Sequence, residues 1–183
     1  MVRAGIFVAA SAAMVLVSWR SLGAPRSHGF YRFFGFELLF ILILLNAPHW
    51  FREPLSARQL VSWVLLAASL GLAIEGFRLL RSLGKPVREA PRDATLLPFE
   101  NTMALVTSGA YRFIRHPLYA SLLAGAWGAC LKHPSVASAG LALGASGFVV
   151  ATAITEEREN LARFGPAYAA YMKTTRRFVP FVF

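Results

Sequence analysis

"VASAGLALGASGFVVATAI", residues 136–154, decides the fold. The run carries no charge and no proline, and its apolar residues are continuous rather than alternating. An α-helix rises 1.5 Å per residue, so a segment of this length covers roughly 28 Å. That is close to the hydrocarbon core of a bilayer, about 30 Å thick. A backbone in lipid has no water to pair with, so only helices and closed barrels can cross. A continuous run reads as a helix. Four more runs read the same way, near Gly5–Trp19, Phe33–His49, Leu60–Leu80 and Leu118–Leu131.

Composition agrees. Of 183 residues, 56% are hydrophobic and only 15% are charged, where a soluble domain carries about 25%. Mean hydropathy is +0.52. The expectation is an all-α, polytopic membrane protein with about five transmembrane helices. The first run also resembles a signal peptide, since Arg3 precedes a short apolar core. The residues after it, Leu22-Gly23-Ala24, do not form a small-x-small cleavage site, so an anchoring helix is expected.

The net charge is +10, and 16 of the 19 basic residues are Arg. In a soluble chain this would suggest nucleic acid. Beside membrane spans it reads as basic loops against an anionic leaflet, with membrane lipids as partners and no nucleic acid. With five spans, alternate loops share a side, and the basic residues divide fourteen to four. That bias places the N-terminus outside and the C-terminus in the cytoplasm. Loop 81–117 and tail 155–183 then meet on the cytoplasmic face. Pro86, Pro91 and Pro98 mark that loop as an irregular cover. The preference for Arg over Lys and the compact core point to a bacterial inner membrane. Cys130 has no disulfide partner, the four His lack ligand spacing, and no metal is expected. Ala124 with Gly128, and Gly140 with Gly144, are small pairs four apart that favour close helix packing. They do not decide the oligomeric state.

Two polar stretches stand out. "GAYRFIRHPLY", residues 109–119, sets Arg112, Arg115 and His116 at the mouth of the fourth run. Pro117 suits the first helical turn, where its missing N–H costs nothing. His116 then sits at the cap. Two guanidiniums near a helix N-terminus make an anion site for a carboxylate or phosphate; the plainer alternative is interface-anchoring arginines. The fourth run is only 14 residues, about 21 Å. Its polar mouth is therefore recessed, or the helix is tucked among its neighbours. "TEERENLARFGPAYAAYMKTTRRFVP", residues 155–180, continues the fifth run into Glu156, Glu157 and Glu159. Gly165-Pro166 should end that helix near Phe164 and restart another at Pro166. Glu157, Leu161 and Phe164 share one face, and Tyr168 and Tyr171 share another. The acids are a solvated turn, or they pair with Arg112, Arg115 or a cationic ligand. Glu75, near the end of the third run, is either paired locally with Arg78 or an acid or base facing a substrate.

"RHPLY", separated from "EE" by the 38 residues between Pro117 and Glu156, resembles a known signature. It is similar to that of the integral membrane methyltransferases of the isoprenylcysteine carboxyl methyltransferase and phospholipid methyltransferase superfamily. The likeness covers about residues 81–183. Ala110 stands where that family commonly has Pro, and Ala120-Ser121 replaces a small Gly. The resemblance implies one domain over residues 1–183, with N-terminal spans in 1–80 and a cofactor-binding core in 81–183. It implies S-adenosylmethionine as methyl donor and S-adenosylhomocysteine as product. Arg112, Arg115 and His116 would face the donor's carboxylate, and Pro117 would be among the cofactor-binding residues. Glu157, supported by Glu156, would accept from its hydroxyls or amino group. Tyr111, Tyr119, Tyr168 and Tyr171 would stack on adenine or face the sulfonium. Arg115, Glu157 and Glu75 are the catalytic candidates. The acceptor would be a lipid or isoprenoid-like small molecule. No G-x-G occurs, which excludes a soluble dinucleotide-type methyltransferase and tilts the reading toward the carboxyl-methylating branch. The competing reading is a non-catalytic polytopic protein, a transporter or assembly subunit whose basic face binds anionic lipid.

Overall fold

A computed structural model describes residues 2–84 and 104–182; the expected proline-rich cover around Pro86, Pro91 and Pro98 lies outside the described residues. The chain is all-helical, with no strand among the described residues. Helix α1 spans Val2–Leu22, and α2 spans His28–Asn46 with a short 3-10 turn to His49. Helix α3 spans Ala57–Leu83, α4 Pro117–Cys130, α5 Val136–Phe164 and α6 Pro166–Thr174. Four of these (α1, α2 with its turn, α3 and α5) are long and apolar enough to cross a membrane.

Helix α4, the expected fourth span, is shorter than the others at 14 residues. Eight of those residues are buried, and α4 packs on α3, α5 and α2. It is therefore tucked among its neighbours, as its length implied. Helix α1 lies at the other extreme. It packs on α2 and leaves Ile6, Val8, Leu16 and Val17 exposed. Such a face is stable only against lipid or another apolar surface.

Small residues let α3 and α4 approach closely. A Cβ at Gly128 would sit 2.9 Å from Leu66 Cγ, and one at Gly125 would sit 3.0 Å from Ser69 Oγ. Ser62 and Ser69 use this proximity to donate to the carbonyls of Gly128 and Ser121, both at 2.7 Å. Gly125 thus joins Gly128 on this face. Gly144 meets Leu38, whereas Gly140 has nothing within 4 Å. The expected pair Gly140 and Gly144 is therefore no continuous contact face in this fold.

The break after α5 falls where the sequence placed it. Gly165 has φ +56°, a conformation that glycine adopts without a Cβ penalty, and its N–H bonds Leu161 O. Pro166 then opens α6. That turn folds α6 back along the end of α5, beside the start of α4.

Candidate active site

Backbone pairing joins the two polar stretches before any side chain is considered. Ile114 and Arg176 form an isolated parallel bridge. Arg115 N donates to Arg176 O at 2.7 Å, His116 N to Arg177 O at 3.2 Å, and Arg176 N to Phe113 O at 3.1 Å. The extended approach to α4 thus pairs with the chain leaving α6. Tyr171 Oη donates to Tyr111 O at 2.6 Å and ties α6 to the turn before that approach. The turn rests on α3 through Ala110 N, which donates to Glu75 Oε1 at 3.0 Å. Gly109 has φ +59° there, and any Cβ on it would meet Leu79 and that same Glu75 oxygen.

A charged cluster sits on this framework. Glu157, only 4% exposed, accepts from Arg115 Nε at 2.9 Å and from Arg177 Nη2 at 2.7 Å. His116 Nε2 lies 3.4 Å from the same carboxylate. A buried charge persists only when it is paired and hydrogen-bonded, and two guanidiniums meet that requirement. The bond to Glu157 holds the Arg177 guanidinium above its usual pKa. Arg115 also donates to Thr175 O at 2.6 Å and Met172 O at 3.2 Å. Its head is therefore committed to Glu157 and to the carbonyls at the end of α6.

Against this cluster lies a cavity of about 540 Å³, within the usual range for small-molecule sites, about 300–1,000 Å³. Its polar end is lined by Arg32, Arg115, His116, Glu156 and Asn160. Tyr111, Tyr119, Tyr168 and Tyr171 supply aromatic surface. The remaining wall is apolar, built from Phe36, Ile74, Phe77, Leu118 and Leu122. His116 stacks on Tyr119 with ring centroids 5.3 Å apart, and its Nδ1 lies 3.8 Å from Glu156 Oε2. Burial pushes the phenols of Tyr168 and Tyr171 well above the ordinary tyrosine value, so both stay protonated and neutral at physiological pH.

The structure thus gathers Tyr111, Arg115, His116, Tyr119, Glu156, Glu157, Tyr168 and Tyr171 from the sequence reading. Pro117 is buried and opens α4, but it does not line the cavity. Glu157 does not line it either; the cavity-facing acid is Glu156. Arg112 stands apart. It is exposed, with its guanidinium 5.9 Å from the Phe113 ring centre. The expected anion site built from Arg112, Arg115 and the α4 N-terminus is therefore not assembled, because Arg115 is committed to Glu157 and Arg112 faces away. Glu75 lies outside the lining, with its carboxylate on the Ala110 amide.

Among the lining residues that the sequence reading did not assign to the site, Asn160, Phe164 and Arg32 carry the most information. Asn160 was legible, since it follows Glu156 by one helical turn. Phe164 continues the face of Glu156 and Asn160 into the cavity, although the sequence reading placed it with Glu157 and Leu161. Arg32 comes from α2 and carried no local signal.

A family model described as phospholipid methyltransferase matches residues 58–166, more than half the chain. No curated protein and no solved structure shows a significant match.

Proposed function

The chain belongs to the phospholipid methyltransferase family, and from that premise we propose that it transfers a methyl group from S-adenosylmethionine to a membrane-partitioned acceptor. One observation carries this reading. The two polar stretches share a single cavity whose remaining wall is largely apolar and formed by α2, α3 and α4.

The residues fit such a cofactor. An acid, an amide and four tyrosines surround a space of nucleoside size, beside an imidazole and two guanidiniums. When bound, the donor would supply an electrophilic methyl on a sulfonium, and in-line displacement by the acceptor would release the neutral thioether S-adenosylhomocysteine. The protein's part is to position and desolvate, which supplies much of the rate in such transfers. Glu156 accepts from hydroxyl or ammonium groups, and Asn160 extends that edge. Tyr168 and Tyr171, neutral and buried, offer faces to adenine or to the cation. Arg115, Glu157 and Arg177 lock the tail against the mouth of α4 and so hold His116 and Tyr119 in place. Glu75 holds the turn at Ala110.

The acceptor lies along Phe36, Ile74, Phe77, Leu118 and Leu122. Helix α2 packs chiefly on α5 and α3 on α4, so the cleft opens between α2 and α3. Ile74 is 58% exposed at its edge, where lipid reaches it. A lipid or isoprenoid-like acceptor, of the isoprenylcysteine carboxyl methyltransferase kind, suits this wall. The basic bias of the loops sets the polar mouth on the cytoplasmic side, with the N-terminus outside, in a bacterial inner membrane.

Calorimetry with S-adenosylhomocysteine on the purified protein in neutral detergent tests the reading. The wild type binds, and Glu156→Gln weakens binding about tenfold, or roughly 1.4 kcal/mol. His116→Ala weakens it as well. Absence of binding, or binding indifferent to both substitutions, would leave the lipid-binding, non-catalytic reading in its place.

A further inference from the structure

The chain that closes the cavity has an outer side of the wrong polarity for water. Phe113 and Ile114 lead toward α4, and the chain leaving α6 runs beside them, paired through the Ile114–Arg176 bridge. In extended chain, successive side chains point to opposite faces. The inner face holds Ile114 and Phe178, both buried in one core cluster with Tyr119 and Val149. The outer face would be polar if water covered it. It carries instead Phe113, 49% exposed, and Val179, Phe181 and Val182, with Phe181 at 83%. The Phe113 and Phe181 rings meet edge to face with centres 6.4 Å apart, so the patch is joined rather than scattered. Phe181 reaches it from φ +67°, a backbone region that bulky residues rarely occupy.

Two further observations identify what covers this patch. The first is charge. Residues 105–119 and 166–182 contain no acid. Arg115 and Arg177 turn inward to Glu157, whereas Arg112 and Arg176 are exposed on either side of Phe113. The Arg112 guanidinium lies 5.9 Å from the Phe113 ring centre, and Arg176 N donates to Phe113 O. The second is depth. The 14 residues of α4 rise about 21 Å from Pro117 to Cys130, beside the outer turns of α3, where Gln59 meets Lys132 O. The hydrocarbon core is about 30 Å thick. The chain just before Pro117 therefore lies no farther out than the lipid head groups. Exposed rings flanked by guanidiniums at that depth match an anionic bilayer surface, where phosphates pair with the cations and the rings sit among the first acyl carbons.

We propose that Phe113, Val179, Phe181 and Val182, with Arg112 and Arg176, form a foot that docks on the anionic lipid surface, and that this docking steadies the chain closing the cofactor cavity. The route is short. Arg176 adjoins Arg177, which bonds Glu157, and Phe113 stands three residues before His116, whose N–H pairs with Arg177 O. A seated foot holds this ribbon against the mouth of α4. The lipid contact stands without the methyltransfer reading; its effect on the cofactor rests on that reading.

The test places the full chain in nanodiscs of phosphatidylcholine alone, or of an equal mixture with phosphatidylglycerol. A nitroxide on Val182→Cys, in a Cys130→Ala background, reports where the foot lies by its accessibility to oxygen against a water-soluble nickel chelate. The label should be reached by oxygen rather than by the chelate, and more strongly so in the mixture. In the unlabelled wild type, S-adenosylhomocysteine binds about fivefold more tightly in the mixture, and high salt removes the gain. Arg112→Gln combined with Arg176→Gln loses the gain, yet its affinity in phosphatidylcholine alone stays within about twofold of the wild type. Phe113→Ser combined with Phe181→Ser opens the label to the chelate in both bilayers. A label open to the chelate in both bilayers with the foot intact would overturn the proposal. Dipolar broadening between labels would also overturn it, by assigning the patch to a second copy of the chain. Equal S-adenosylhomocysteine affinity of the wild type in the two bilayers would overturn the coupling, and that comparison needs no variant to fold. A label shielded by lipid on a protein that never binds S-adenosylhomocysteine would sink the methyltransfer reading alone.

Discussion

The bundle has a buried polar network at each end, and they differ in kind. Around Glu157 the partners are two guanidiniums and an imidazole, and a cavity lies alongside. At the opposite end Lys132 is almost fully enclosed. Its amine donates to Gln59 Oε1 at 3.0 Å and sits 3.1 Å from the centre of the Trp63 ring. Asn46 and Ser138 continue that network, with Asn46 Nδ2 donating to Ala129 O at 2.9 Å and Ser138 Oγ to Asn46 Oδ1 at 3.1 Å. Amide, hydroxyl and carbonyl groups hydrogen-bond one another there, and the network fastens the loops to α4. Burial of polar groups is common to both ends and says little about chemistry. What sets the first end apart is open space beside the charges, lined by residues from five helices and the approach to α4.

This contrast can be broken or sharpened by substitution. The largest effect belongs to Glu157→Ala, which strands two arginines. Removing one partner of a buried pair costs about 3–5 kcal/mol. A clear fall in thermal midpoint should accompany loss of S-adenosylhomocysteine binding. A variant that melted and bound like the wild type would show that Glu157 does not organise the site. Lys132→Ala comes next. It leaves Gln59 Oε1 without its donor and should cost about 1–3 kcal/mol of stability. Its affinity for S-adenosylhomocysteine should stay within about twofold, because it lies at the far end from the cavity. A matching loss of affinity would mean that the two ends are coupled. Glu156→Gln should show the reverse pattern, with ligand binding weakened and the ligand-free melting unchanged. Smallest is Glu75→Gln. The amide keeps an oxygen for the Ala110 N–H, so turnover of labelled methyl into membrane lipids should stay within about twofold. A large drop in turnover with normal melting would restore Glu75 as a catalytic acid or base.

Much of the site was readable before any coordinates. The helix break at Gly165-Pro166, the cap at His116 and the enclosure of the short fourth helix follow from glycine, proline and length. The sequence also offered Arg112, Arg115 or a cationic ligand as partners for the three acids, but it did not single out Arg115 with Glu157. The choice between Glu156 and Glu157 did not follow. Adjacent helical residues point about 100° apart, so one meets the cavity and the other the tail, and only the rotation of α5 decides which. Arg112 and Arg115 pose the same problem in the extended approach to α4, where pairing with Arg176 and Arg177 turns Arg115 inward and leaves Arg112 exposed.

Hydropathy, proline placement and the two spaced motifs act over a few residues at a time. They suffice for an all-helical membrane protein, its breaks and its methyltransferase kinship. Contacts between remote helices settled the rest. The clamp of His28 on Glu159 spans 131 positions, and it brings Arg32 into a cavity whose other charged groups come from the far half of the chain. No local pattern encodes such a meeting, because helix rotation and docking are set by how whole faces pack against one another.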